Sequence, residues 1–530
     1  MKKKGQRTAR SLPSRLRSAT EERIRRIVDF KHAPVILGAA YLVLACAIAF
    51  PYHRVLDFGV ESDFLFEYVP IAKKIAEGSL PIGEYRGPVF PLILAAIKPI
   101  TGDYFSSGLV ISLLSGALTL ALTFVLVRGL FKPLVAASVA LLMIANAYFF
   151  MYTYQLGTDM IFCALSTASV CLLLVSDEFK WWRLTISAVF ASLAYLTRYN
   201  GVFLLVIPML ILLLNPWKID IRRRIVSAAV FAALFLSCIT PWGLYCLREK
   251  GRFFYNENRL NIAFDVYGRT QMSREQFLFK GNPFEKMSLL DLVKYDPPVF
   301  LGTLARNFLW HGLATVYDLL GWLVGIGALV GLVLLVRRKP SVRVGFYLLL
   351  NFVFFFLLLP IHYETRYPLF MLGGLMSLAA SGLLLSNVTI GDRTFLACGA
   401  LTMLLVLLSG WNSYRINREQ IGAGPKEVVE VANWLKNTIP LEKRGKTVAA
   451  RKPHLAFYAG LDYVPLPLTD SPEELIRKLH EMKVDYLYFG RAEYSFRPQL
   501  RALIDTRRVW PGLKIIEVSN SPLSVLYEVE

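Results

Sequence analysis

The sequence predicts a polytopic α-helical membrane protein that carries a small α/β domain at its C-terminal end. Three observations predict this. The 530 residues are 55% hydrophobic and 18% charged, with a mean hydropathy of +0.46, whereas an average soluble domain carries about 25% charge. Apolar runs of roughly 18 residues, the length that spans a hydrocarbon core as a helix, recur along the chain. Beyond residue 411 the pattern changes to short amphipathic and alternating segments.

About eleven spans are read, at 33–51, 106–130, 133–151, 159–176, 182–197, 200–215, 225–246, 314–336, 342–361, 367–387 and 393–411. The basic segment 1–32 precedes the first of them and reads as the cytoplasmic flank of an uncleaved signal anchor: it is long, and no small-x-small cleavage site ends the run. The net charge of +20 does not point to nucleic acid. The cations gather at the N-terminus and in the short loops "RGLFKP", "DEFKWWR", "NPWKIDIRRR" and "RRKPSVR", which retention of positive charge on the cytoplasmic side explains. "SNVTIGDR" fits that side weakly. The six cysteines lie in or beside apolar runs without metal-ligand spacing and read as small packing residues.

The opposite side then receives residues 51–105, "YTYQLGTD", "TRYNG", a long loop from about 247 to 313, and "HYETRY". These loops are aromatic and mixed in charge, and folding alone does not require them on one face. In "VESDFLFEYVPIAKKIAEG", Phe64, Tyr68, Ile71 and Ile75 form one apolar face, so the segment reads as a helix lying in the interface. Asp63 at its start either caps the helix or presents a carboxylate at the water–lipid boundary as a proton acceptor, with Glu61 and Glu67 as alternatives. Arg86 in "EYRGPVFP" is either a snorkelling turn residue or a phosphate ligand. Asp159 in "GTDM" is a cap or a second site carboxylate. Arg198 and Arg366 are anchors, phosphate ligands or halves of salt bridges, and Glu364 is a ready partner for Arg366. His362 reads as structural, since no HxH or HExxH companion accompanies it. Residues 412–530 hold two helical segments, "KEVVEVANWLKN" and "PEELIRKLHEMK", and three strand-like ones, "KTVAA", "VDYLYFG" and "SVLYEV". No Gly-rich phosphate loop occurs there, and the domain is read as a cap or an acceptor-docking unit.

The motifs "ESDFLFEYVPIAKKIAEG", "YRGPVFPL", "GTDM", "LAYLTRYNG" and "HYETRYPLFM", in this order and on one side, resemble the GT-C fold glycosyltransferases of the aminoarabinose-transferase and protein O-mannosyltransferase superfamily. The likeness runs from about residue 34 to 415, with a looser one in "KTVAARKPHLAFYAGLDYVPLP". It implies a GT-C membrane domain at 33–411 and an extracytoplasmic α/β domain at 412–530. It also implies a polyprenyl-phosphate sugar donor and a lipid, glycan or protein acceptor at the outer face of a bacterial cytoplasmic membrane. Asp63 matches the catalytic acid of the first loop, and Asp159 the second acid near it. Glu61, Tyr85, Arg86, Arg198, Tyr199, Asn258, Asn261, Glu364, Arg366 and Tyr367 form the expected substrate-binding set. Arg86 stands where some members have a lysine before proline. Glu61-Ser62-Asp63-Phe64 replaces the Asp-Glu pair of the mannosyltransferases and favours the broader bacterial branch. A divalent cation near Asp63 and Asp159 is left open, because relatives differ. The alternative from another class is a transporter or flippase for a lipid-linked sugar, which would carry charge in mid-span and, in many folds, an internal repeat; neither is read here.

Overall fold

The computed structural model describes residues 22–279, 281–386, 392–520 and 522–530. The first two-thirds of the basic N-terminal segment and the core of "SNVTIGDR" lie outside the described residues.

The protein is an integral membrane helical bundle with a small C-terminal sheet. Among the described residues four helices are long and apolar enough to cross a bilayer: Ala33–Tyr52, Tyr104–Leu130, Ile221–Lys250 and the helix that begins at Asp392. Pro133–Ala145 and Ala147–Tyr154 form a fifth, bent by 61°. The expectation of eleven is therefore not met as eleven full-length spans. Most of the other segments are apolar helices of 10–17 residues, shortened for local reasons. The run at 133–151 breaks at Asn146, whose side chain caps Phe149 and whose amide donates to the Leu319 carbonyl at 2.6 Å. The run at 314–336 opens as a wide turn, Thr315–Leu319, and restarts after Gly321, which holds a left-handed φ of 77°. Those at 200–215 and 367–387 begin with tight 3₁₀ turns.

Small residues allow one close helix crossing. Trp322–Arg337 packs on Leu372–Leu383, where a Cβ on Gly331 would meet the Leu378 carbonyl, and one on Gly382 would meet the Gly327 carbonyl and the Gly331 nitrogen. The basic loops tie together at one end of the bundle. Arg128 donates to the Val28 carbonyl at 2.9 Å, and Arg343 pairs with Asp177 at 2.7 Å and donates to the Leu174 carbonyl. The helix Ala33–Tyr52 carries the chain from that end to the other, where all the acidic, aromatic loops meet.

Two regions read as loop and tail are folded units. The segment after Lys250 contains helices Asn258–Ala263, Arg274–Phe279, Leu289–Tyr295 and Pro297–Ala314 around its own core of Ala263, Tyr267, Phe277, Phe284, Leu292 and Phe300. The C-terminal domain is a five-stranded sheet in the order β2-β1-β3-β5-β4. Its strands are β1 Thr447–Ala450, β2 Asp462–Pro465, β3 Tyr486–Phe489, β4 Leu513–Asn520 and β5 Leu523–Val529. β1 runs parallel to β2 and β3, and β5 runs antiparallel to β3 and β4. The predicted helices stand at Lys426–Thr438 and Pro472–Glu481 on opposite faces, each closing an apolar core. β2 and β4, unseen in the sequence, are edge strands whose half-exposed residues carry no clear alternation.

Replacing Gly331 or Gly382 by Ala should force this crossing apart. Overpacking of that kind costs about 1–3 kcal/mol, so the thermal midpoint in detergent should fall for both variants. Gly410→Ala, where a Cβ meets nothing within 4 Å, should leave it unchanged.

Candidate active site

Glu61 joins the two acidic loops. Its carboxylate is fully buried and accepts from His53 Nε2 at 2.9 Å, the Asp57 backbone N–H at 2.9 Å and the Leu156 N–H at 2.8 Å. This corrects the expectation that Glu61 faces substrate: its oxygens are turned inward and engaged. Asp57 beside it accepts from Gln155 at 3.0 Å and from Gln420 at 2.7 Å, so the last long helix is tied to the same loop. Burial, then the nearby Glu61, push the Asp57 carboxyl up to about 6.

Three residues after Glu61 the chain enters a wide π turn, Phe64–Tyr68, before the α-helix Val69–Ala76. The extra residue per turn rotates the expected apolar face. Phe64, Leu65, Tyr68, Val69 and Ala72 are buried, while Ile71 and Ile75 are only half-buried. Asp63 precedes this turn with helical backbone and makes no capping hydrogen bond. The capping role for Asp63 therefore does not apply. Its side chain is 44% exposed, and Oδ2 accepts from Arg366 Nη1 at 3.3 Å. Among the described residues it makes no other side-chain hydrogen bond, which leaves Oδ1 for a ligand.

Arg366 is one link in a chain of alternating charge. Its Nε donates to Glu364 at 2.5 Å, the other Glu364 oxygen meets His362 Nε2 at 3.0 Å, and His362 Nδ1 meets Asp265 at 2.9 Å. The backbone N–H of His362 also donates to Asp265, at 3.0 Å. Hydrogen bonds to Asp265 and Glu364 outweigh burial and lift His362 to about 9. Burial works to raise Glu364, but its bonds to His362 and Arg366 prevail and hold it down at about 2. The chain fixes the fork of Arg366, which lies 5.2 Å from the Tyr367 ring. Such order matters because an unpaired charge at a membrane mouth is costly.

The other cations converge from different elements. Arg86 donates to its neighbour's carbonyl, Tyr85 O, at 3.0 Å and to Asn258 Oδ1 at 3.4 Å, while its buried Nε has no partner. Its charge lies in the attractive field of Tyr68, Asp63 and Glu67, against the repulsion of Arg366. Arg198, at the end of helix Trp181–Thr197, pairs with Asp159 at the start of Asp159–Leu174 and lies 5.9 Å from the Phe162 ring. Tyr367 lies within the field of Arg86, Arg198 and Arg366 together.

The structure thus gathers Asp63, Arg86, Glu364, Arg366 and Tyr367, with the pair Asp159–Arg198 alongside. Asn258 stands behind Arg86, donating to the Tyr85 carbonyl at 2.8 Å, so Tyr85 joins through its backbone. Asn261 is drawn to Asn258 and Arg274. Tyr199 accepts from Trp242 Nε1 at 3.2 Å and lines a separate aromatic pocket with Tyr195, Trp242 and Phe253. Glu67, a sequence alternative to Asp63, accepts from the Tyr85 N–H at 3.2 Å. Asp265 and His362 enter the site unforeseen. His362, two residues before Glu364 in "HYETRY", offered a signal; Asp265, on a distant folded loop, offered none. As for a cation, among the described residues no group of three or more His, Cys, Asp and Glu side chains is arranged to hold a metal. Asp63 and Asp159 each face a guanidinium instead, so this donor set does not fit a shared ion.

Comparisons bear on the fold. Residues 85–245 match the family model described as dolichyl-phosphate-mannose-protein mannosyltransferase. ArnT from Cupriavidus metallidurans, solved bound to undecaprenyl phosphate, superposes with a TM-score of 0.54 at 13% identity, over 94% of this chain and 98% of that one. The archaeal oligosaccharyltransferase AglB from Archaeoglobus fulgidus, solved with an inhibitory peptide and a dolichol-phosphate, gives 0.52 at 12% identity over 86% and 69%. The Archaeoglobus fulgidus oligosaccharyltransferase tethered to an acceptor peptide gives 0.55 at 11% identity over 89% and 72%. No curated protein matches the sequence. The resemblance seen in the motifs extends to the whole chain as architecture: this is a GT-C membrane fold.

His362 gives the site a pH signature. Its folded value of about 9 lies above the unfolded value of about 6.5, so its stabilisation is complete below about 6.5 and is lost as pH rises through 9. The thermal midpoint of the wild type should fall between those limits by more than that of His362→Gln. Equal slopes for the two proteins would remove His362 from the network.

Proposed function

We propose that this protein transfers a sugar from a polyprenyl-phosphate-linked donor to an acceptor hydroxyl or phosphate at the extracytoplasmic membrane surface, with Asp63 as the base. The observation that carries the reading is the state of Asp63. It is a half-exposed carboxylate without a capping role, oriented through one oxygen by Arg366, and within the field of a second guanidinium, Arg86. The GT-C fold and the lipid-phosphate-bound structures it resembles support the donor class.

In this reading the acceptor oxygen attacks the anomeric carbon while the bond from that carbon to the phosphate oxygen breaks. The bonding pair leaves with the lipid phosphate. The acceptor proton passes to Asp63 Oδ1, and positioned proton transfer of this kind contributes typically 10²–10⁴-fold. Arg366 and Arg86 lie where they can take up the charge that develops on the leaving phosphate, and donors fixed in advance act there without reorganisation. Arg198, neutralised by Asp159, supports that field from behind Tyr367. In this reading the positive loops sit in the cytoplasm and the site and the C-terminal domain face outward, which the retention of positive charge on the cytoplasmic side supports. A bacterial cytoplasmic membrane is the expected location. Acceptor identity is open among lipid, glycan and protein.

Purified protein in lipid nanodiscs, given labelled polyprenyl-phosphate sugars and candidate acceptors, tests the proposal. Asp63→Asn should lower turnover at least 100-fold while leaving the thermal midpoint close to wild type. Transfer indifferent to this substitution would sink the base assignment, and lipid movement between leaflets without transfer would favour a flippase instead. Arg366→Gln should weaken both transfer and donor affinity, since it removes a phosphate partner and the orienting bond to Asp63 together.

A further inference from the structure

The C-terminal domain docks on the first outer loop immediately beside Asp63. Tyr458 Oη accepts from the Leu56 N–H at 2.8 Å, His454 Nε2 meets the Asp57 carbonyl at 2.7 Å, and the His454 and Phe58 rings lie 4.8 Å apart edge to face. Tyr463 on β2 packs against Phe66 at 5.5 Å. A second seam joins the domain to the long loop, where Arg451 and Arg497 both pair with Glu275, at 2.7 and 3.3 Å. Between these seams, just past the end of β1, stands Lys452. Its Nζ donates to Ser62 Oγ at 3.0 Å and lies 5.6 Å from the Phe66 ring. Ser62 in turn donates to the Phe58 carbonyl at 2.8 Å.

Among the described residues no carboxylate lies within 4 Å of this ammonium, and the Ser62 hydroxyl is the acceptor it finds. An ammonium has three donors. Two are left over, in a half-buried position next to the residue proposed as the base. Arg86, Arg198 and Arg366 reach the site from the membrane mouth, whereas Lys452 reaches it from the water-side domain. We infer that Lys452 is an oxyanion-binding residue of this site, so that the C-terminal domain completes the binding surface above Asp63 and the ligand it takes there is a phosphate or carboxylate oxygen. This rests on the proposed transferase reading for its purpose, though not for its measurement. The oxyanion could belong to the lipid-linked donor or to a molecule arriving from water.

The charge on Lys452 is also conditional. Burial, then the neighbouring Arg451, bring it down to about 8, against the pull of Asp63, Asp57 and Glu275 that face it from the first and long loops. His454 on the adjoining helix is held well below its usual range by burial and adds no cation. Lys452 is therefore charged below about pH 8 and loses its hold on an anion above it.

The test uses the full chain in nanodiscs and reads binding rather than turnover. Affinity for polyprenyl phosphate is measured by titration, and the effect of inorganic phosphate by the shift in thermal midpoint, for wild type, Lys452→Gln and Lys452→Arg. Loss of a charge-assisted hydrogen bond corresponds to roughly 10- to 100-fold in affinity. A loss of that size for polyprenyl phosphate in Lys452→Gln assigns the oxyanion to the donor. An unchanged lipid affinity with the inorganic phosphate shift abolished assigns it to the water side. In either case Lys452→Arg should bind near wild type and keep binding above pH 8, where the wild type weakens. Lipid and inorganic phosphate binding that are both indifferent to Lys452→Gln would overturn the inference, as would Lys452→Arg binding as poorly as Lys452→Gln. Full-rate sugar transfer by Lys452→Gln, together with lipid and phosphate binding that are both unchanged, would leave the transferase reading standing and remove this one.

Discussion

A single buried carboxylate holds the site together. Glu61 accepts hydrogen bonds from the end of the first span, from its own loop and from the Leu156 N–H on a loop about 95 positions further along the chain. A charge in so dry a place persists only if its lone pairs are satisfied, so the three donors and the carboxylate constrain one another. Asp63 lies two residues beyond Glu61 and Asp159 three beyond Leu156. Fixing that one contact therefore sets the two acids in a common frame.

The same economy of charge governs the mouth of the bundle. Four carboxylates there are matched to cations: Asp159 to Arg198, Glu364 and Asp265 to His362, and Asp63 and Glu364 to Arg366. The result is a row of alternating signs that ends at a half-exposed Asp63. Apart from Asp63, these groups are held tightly enough that their orientation is set before any ligand arrives, which is what electrostatic catalysis requires. Arg86 adds a guanidinium whose own ties are mostly to neutral carbonyl groups, so its charge remains available.

The roof of the site is assembled from two units with independent cores. The long loop contributes Asp265 and Asn258 from around its own apolar cluster. The C-terminal sheet is pinned by Arg451 and Arg497 to Glu275 of that loop and by Tyr458 and His454 to the first loop. Paired charges and hydrogen bonds, rather than a broad apolar seam, make these junctions.

Local pattern carried the membrane class, the clustering of acidic and aromatic loops on one side, and the helices and central strands of the terminal domain. Those properties follow from apolar run length, charge placement and periodicity, which a chain displays residue by residue. Motif order added the GT-C architecture and pointed to Asp63, Asp159, Arg86 and Arg366. Other features depended on contacts between distant segments. Asn146 breaks one apolar run through its bond to the Leu319 carbonyl, and the left-handed backbone of Gly321 interrupts another, so eleven apolar segments did not become eleven full-length spans. Glu61 and Asp63 are nearly equivalent as a sequence, yet a π turn and the Leu156 N–H turn one inward and leave the other at the surface. Lys452 and Asp265 reach the site only through the docking of whole units. The sequence by itself determined the membrane class and which loops are acidic and aromatic; the tertiary structure decided which carboxylate is free, because that depends on which donors come within hydrogen-bond reach across the fold.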